Sequence, residues 1–259
     1  MRGGFQPPLK PGRSKMNGYM EHVKDILELG FSEDPRGLRT LSRKNASLRI
    51  FTGRTYRRYK DNPLIGFMEG LQFIAGTFNQ SEIARIAPNA KLDLFGPTSS
   101  YGLRVGDQVF WIIDELLSDP YSRRAVLVLP DPNERLEERP CTISMQFVIR
   151  HGNLMDTIVS MRSSDAVYGL PYDFIQFSMM SMVIAQCANK IAGETIINIG
   201  NAHIYESTRH LAKDFAEWGF SIPIFQELVD YEKWALSTMP ILTADNVEEI
   251  FSFHPVQDV

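Results

Sequence analysis

The chain has 259 residues, 44% of them apolar, a formal net charge of −4 and a sequence pI of about 5.8. That is enough for one large domain with a sizeable core, and the acidic balance excludes a surface-wide affinity for nucleic acid or membrane while allowing an anionic small ligand on a local arginine cluster. Cys141 and Cys187, the only cysteines, are too few for a disulfide framework, and no apolar run is long enough to span a bilayer, so a reducing, cytoplasmic setting is expected.

Residues 1–15, MRGGFQPPLKPGRSK, are basic, rich in Pro and Gly, and lack the apolar stretch of a secretion signal. They are expected to form a flexible tail ahead of a single domain over 16–259. Met20 to Leu29 has Val23, Ile26 and Leu27 at helical spacing. Ser32 to Leu41 reads as a loop carrying Arg36 and Arg39, and Leu48 to Phe51 as a short strand. Asn62-Pro63 opens an apolar helix from Leu64 to Ala75, ended by Gly76. A loop rich in Asn, Gly, Pro and Ser follows from Pro88 to Tyr101. Asp107 to Leu117 predicts an amphipathic helix with Val109, Phe110, Ile113, Leu116 and Leu117 on one side.

Ala125 to Leu129, Ile143 to Ile149 and Thr157 to Met161 are strand-like runs bounded by turns, with a charged loop from Pro130 to Pro140 and a tight turn at His151-Gly152-Asn153. Asp173 to Ile191 predicts one long apolar helix, Thr195 to Ile199 a strand, and Ser207 to Trp218 a helix. With no internal repeat, no strict βαβ rhythm and no glycine-rich phosphate loop, the pattern points to an α+β domain with a largely antiparallel or mixed sheet.

Cys141 follows Pro140 and precedes a strand; a thiol there is either a nucleophile for an electron-poor carbon or an inert, half-buried side chain. Cys187, inside the long apolar helix, reads as inert. Arg123-Arg124 follow Ser122, and Arg162 precedes Ser163-Ser164; such groupings bind phosphate or sit solvated at the surface. Glu69 lies in the apolar stretch FMEGLQFIA, either at the edge of its stripe or in a cleft with a raised pKa. His203 and Tyr205, two apart after a strand, share one side and serve a site or the core equally well. No Cys/His cluster has metal-ligand spacing, so no metal is expected.

In order, the chain carries SRR, a PC dipeptide, MRSSDAVYGLPYD and NIGNAHIY. This series resembles the thymidylate synthase superfamily over about Ser32 to Tyr205. The resemblance implies a homodimeric α+β fold built on a large twisted mixed sheet flanked by helices. It also implies a site for a pyrimidine nucleotide monophosphate beside 5,10-methylenetetrahydrofolate. In that likeness Cys141 is the thiolate that adds to C6 of the base, so that C5 takes the one-carbon unit. Glu69 matches the catalytic glutamate that organises water and proton transfers, and contacts the folate side. Tyr101, in GPTSSYG, matches a tyrosine near C5. Arg162 and Ser163 hold the phosphate, joined by Arg123 and Arg124 from the partner subunit and by either Arg36 or Arg39. His203 and Tyr205 contact the sugar hydroxyl, and Asp165 contacts folate.

Four departures from thymidylate synthase bear on the reaction, and three of them, at Asp173, Thr142 and Met161, resemble the phage deoxycytidylate hydroxymethylases. Asp173 follows Gly169-Leu170-Pro171-Tyr172 where thymidylate synthases carry Asn. An asparagine amide donates and accepts, matching uracil; a carboxyl accepts from the cytosine N4 amino group and, when protonated, donates to N3. A carboxylate there also suits a helix start. No tryptophan falls between Gly76 and Tyr101 to shield an exocyclic methylene from water. Thr142 follows Cys141 in place of His, and Met161 precedes Arg162 in place of Gln. The expectation is folate-dependent C5 hydroxymethylation of dCMP, with CMP second and a dUMP hydroxymethylase or thymidylate synthase as the alternative.

Overall fold

Helical spacing of Val23 and Ile26 produces α1 (Gly18–Leu29), which buries Tyr19, His22, Val23 and Ile26. The computed structural model describes residues 18–52, 54–57, 64–86, 101–150, 153–218 and 220–223. The expected tail, Asn62-Pro63, residues 88–100 of the expected loop, His151-Gly152 and the C-terminal FSFHPVQDV lie outside these. The segment read as a loop over 32–41 holds most of β1 (Phe31–Glu33), a 3-10 turn (Pro35–Gly37) and the start of β2 (Thr40–Phe51). The short strand expected at 48–51 is thus the end of a 12-residue one. Its period was masked because Thr40 and Ser42, polar residues, occupy inward positions alongside Leu48 and Ile50.

Next come β3 (Arg54–Arg57), α2 (Leu64–Ile74), α3 (Gln80–Ile86), α4 (Gly102–Val105) and α5 (Gln108–Ser118). The expected helix at 64–75 stands, with Gly76 at φ +65° stopping it. In α5 the buried side chains are Val109, Ile112 and Leu116, whereas Phe110 is 67% and Leu117 51% exposed. This corrects the expected face. Apolar residues surround much of α5, so its contact with the core chooses the stripe.

Then follow β4 (Val126–Val128), β5 (Thr142–Ile149), β6 (Leu154–Met161), β7 (Ser164–Asp165), α6 (Leu170–Cys187), β8 (Ile191–Tyr205), α7 (Arg209–Trp218) and β9 (Phe220–Pro223). The main sheet has seven strands in the order β1-β2-β8-β6-β5-β4, with β7 beside β8. Its pairs are antiparallel except β6/β8 and β7/β8, which are parallel. This is the expected α+β architecture, a large mixed sheet flanked by helices. β3 and β9 form a separate antiparallel pair.

α6 is apolar on nearly every side and buried along most of its length, as a central helix must be. It starts at Leu170, with Pro171 in its first turn, and ends at Cys187 rather than running from 173 to 191. Ile191 already belongs to β8. Cys187 is exposed rather than half-buried. β8 extends far beyond the expected 195–199, so His203 and Tyr205 lie within a strand rather than after one. Buried positions switch from Thr195, Ile197 and Ile199 to Ala202 and Ile204, a phase change that broke the alternation visible in the sequence. α2 lies close against α6: a Cβ at Gly70 would stand 2.6 Å from Met179 Sδ. That approach sets Glu69 beside α6.

Candidate active site

Tyr101 is placed by its neighbour. A Cβ on Gly102 would fall 2.0 Å from the Thr77 carbonyl oxygen and 2.4 Å from that of Gln72, so only glycine lets the chain pass here. The Tyr101 ring then packs 5.4 Å from Phe73 and stacks 6.4 Å from Phe177. Its hydroxyl accepts a 2.8 Å hydrogen bond from Thr142 Oγ1 and faces Asp173 Oδ1 at 3.5 Å. Asp173 lies in the first turn of α6 and is buried, which removes it from a simple capping role at the helix start. One turn further, Gln176 donates through Nε2 to Glu69 Oε2 at 3.0 Å. Cys141, partly buried, sits directly before β5 and Thr142.

Burial governs the electrostatics. It pushes Glu69 up to about 8, with the Asp173 charge adding to the effect. It also pushes Asp173 up to about 7, opposed by the hydrogen bond from Tyr101, supported by Asp165, and opposed again by Ser164. The Tyr101 hydroxyl is raised far above its ordinary value, first by burial and then by Asp173. The Cys141 thiol is raised by burial, pulled back by Arg162, raised by Asp173 and pulled back by Arg36. Two carboxyls poised near neutrality beside a thiol are a proton-handling arrangement.

Arg162 has a structural task as well as its charge: Nε donates to Pro140 O and an Nη to Arg139 O, both at 3.0 Å, while its backbone N–H bonds to Cys141 O at 2.9 Å. It therefore clamps the segment that presents the thiol, with guanidinium donors to spare. Ser163 Oγ pairs with His203 Nδ1 at 3.3 Å, and the His203 and Tyr205 rings meet edge to face at 5.0 Å. Burial lowers the His203 pKa. Asp165 pairs with His203 across β7 and β8, and its carboxylate accepts the Val167 N–H at 2.8 Å. Arg36 is exposed and in a left-handed conformation at φ +57°, and its charge acts on both Cys141 and Tyr205. Arg39 is exposed, and its carbonyl accepts the Glu206 N–H. Arg123 and Arg124 are exposed ahead of β4, Arg124 in an ion pair with Glu115 at 2.7 Å.

Gln176 escaped the sequence reading, although a lone amide three residues after Asp173 in the apolar run FIQFSMM was its signal. Among the described residues there is no group of three or more His, Cys, Asp or Glu side chains arranged to hold a metal, and no helix long and apolar enough to cross a membrane.

A thiol, a buried and a partly buried carboxyl and a tyrosine gather where a mixed sheet meets its central helix, a thiol-bearing site on an α+β fold. The sequence model of the thymidylate synthase family matches residues 75–250, and the chain belongs to that family. Thymidylate synthases of Bacillus subtilis subsp. natto and Bacillus atrophaeus are each 36% identical over 107 residues, 40% of this chain and 37% and 46% of theirs. That of Bacillus phage phi3T is 35% identical over 107 residues, again 40% of this chain and 37% of its own. The aligned stretch thus spans less than half of each relative.

Proposed function

We propose that the protein hydroxymethylates C5 of a cytidine monophosphate, dCMP in preference to CMP, taking the one-carbon unit from 5,10-methylenetetrahydrofolate and the hydroxyl from water. The observation that carries this reading is Asp173, a buried carboxyl at about 7 in the position where asparagine would read uracil. Near neutrality it exists in both forms: protonated, it donates to cytosine N3 while its other oxygen accepts from the N4 amino group.

Cys141 adds to C6, and the clamp from Arg162 holds its backbone during the addition. The base, made electron-rich at C5, accepts the one-carbon unit; loss of the C5 proton and departure of tetrahydrofolate leave an exocyclic methylene, to which water adds as the Cys141 thiolate leaves C6. Glu69, protonated to about pH 8 and fixed by Gln176, supplies and removes protons on that face. Asp165, whose charge reaches both Cys141 and Asp173, stands on the same site as the nucleophile and fits the folate side. Arg162 and Ser163, Arg36, and Arg123 and Arg124 from a second subunit surround the phosphate; His203 and Tyr205 meet the sugar. The protein acts as a homodimer in the cytoplasm, or in the host cytoplasm if a phage encodes it.

Tritium release from 5-labelled dCMP, CMP, UMP and dUMP with methylenetetrahydrofolate tests the reading. Release from dCMP, none from dUMP and no dihydrofolate absorbance is expected, with Cys141→Ser binding nucleotide but inert. Stoichiometric dihydrofolate from dUMP would instead establish thymidylate formation.

A further inference from the structure

Thr142 is fully buried directly after the nucleophile, where a hydroxyl survives only with a partner. The ladder between β5 and β6 is irregular between Thr142 and Ser144. There Thr142 turns inward, Ile143 is left 39% exposed, and buried alternation resumes at Met145. Such irregularities re-aim side chains beside sites. The inward hydroxyl donates to Tyr101 Oη at 2.8 Å. A phenol oxygen that accepts on one side keeps its own proton for another, and Asp173 Oδ1 lies there at 3.5 Å. That second contact is long for an O–H···O bond. Asp173 alone therefore does not fix the direction of the Tyr101 proton; the shorter bond from Thr142 does.

We propose that Thr142 is a positioning residue: by donating to Tyr101 it aims the phenol proton at Asp173 and so sets the balance between the two forms of the base-reading carboxyl. This rests on the reading of Asp173 given above. The groups facing Asp173 are Tyr101, Ser164 and Asp165, with Glu69 opposite on α2 and Cys141 before β5. Asp165 favours its protonated form, whereas Tyr101 and Ser164 favour the ionised one. Hydrogen bonds in series strengthen one another. Removing the first weakens the second, and Asp173 then holds its proton to higher pH.

The test is the titration of Asp173 in the ligand-free protein, followed by NMR of γ-13C-labelled aspartate and assigned with Asp173→Asn. Thr142→Val keeps the shape and loses the hydroxyl; Thr142→Ser keeps the hydroxyl. The valine variant should raise the midpoint by roughly half a pH unit, and serine should restore it. Thr142→Ala should give the same rise and serves if valine impairs folding. The pH profile of tritium release from labelled dCMP should move by the same interval. Equal midpoints in wild type, valine and alanine variants would overturn the proposal. A wild type that releases no tritium from any pyrimidine monophosphate, while the midpoint still moves, defeats the proposed reaction and leaves the role of Thr142 standing.

Discussion

At the scale of single residues, the proposed reaction puts the choice of base on Asp173. Replacing it by asparagine preserves shape but exchanges a carboxyl for an amide that matches uracil. A buried polar group left mispaired costs about 1–3 kcal/mol, so Asp173→Asn should move the dCMP-to-dUMP preference at least about fivefold toward dUMP. Competitive turnover of the two labelled nucleotides measures it, and unchanged selectivity would remove Asp173 from base recognition. Cys141, Asp173, Tyr101 and Glu69 stand out in the sequence because each lies in a short ordered motif, and the fold brings the four together. The bond from Thr142 to Tyr101 does not stand out, since its partners are 41 residues apart in the chain. The bond between Gln176 and Glu69, 107 residues apart, was hidden for the same reason. Arg36 and Arg39 lie three residues apart in one polar segment, so the sequence gives no ground for choosing between them; they differ in backbone, Arg36 being left-handed and followed by Gly37 at φ +78°.

Among the elements, the helices were easier to recognise than the strands. Periodicity located α1, α2 and α5 within a residue or two, but long β2 and β8 were each read as a fragment. Both strands carry polar residues through the site end, where Thr40 pairs with Tyr205 and Ser42 with His203, so hydrophobic alternation fades where function begins. In α5 the opposite problem arose, an excess of apolar residues offering overlapping stripes. The observed face makes a direct prediction. Ile112→Ala should cost about 2–5 kcal/mol, whereas Phe110→Ser should change stability by no more than about 0.5 kcal/mol. Urea midpoints of the two variants check this; a large loss at Phe110 would mean that side chain is covered in the assembled protein.

For the whole molecule, the carboxyls of Glu69 and Asp173 tie stability to pH. Glu69 and Asp173 are both raised, to about 8 and about 7, so the folded chain retains protons that the unfolded chain has already released. Stability from this source is complete below the unfolded carboxyl values and declines as pH climbs through the folded ones. His22, lowered to about 4, acts in the other sense, because the unfolded state takes up a proton near 6.5 that the folded state refuses. Its contribution grows with pH up to about 6.5 and then stops, as does that of His203, which is also lowered. Between about 6.5 and 8 the carboxyls therefore act with the histidines silent. The ligand-free protein should lose on the order of 1–2 kcal/mol across that window, after allowance for the partial exposure of Glu69, or roughly 2–6 °C in Tm. Glu69→Gln keeps the contact with Gln176 within reach and removes its titration, so its Tm should be higher at pH 8 and fall less steeply over the same range, the remaining slope being that of Asp173. Scanning calorimetry of wild type and variant at several pH values reads the two slopes. Parallel slopes would show that Glu69 is already ionised at pH 6.5, and with it the proton supply at C5 would need another source.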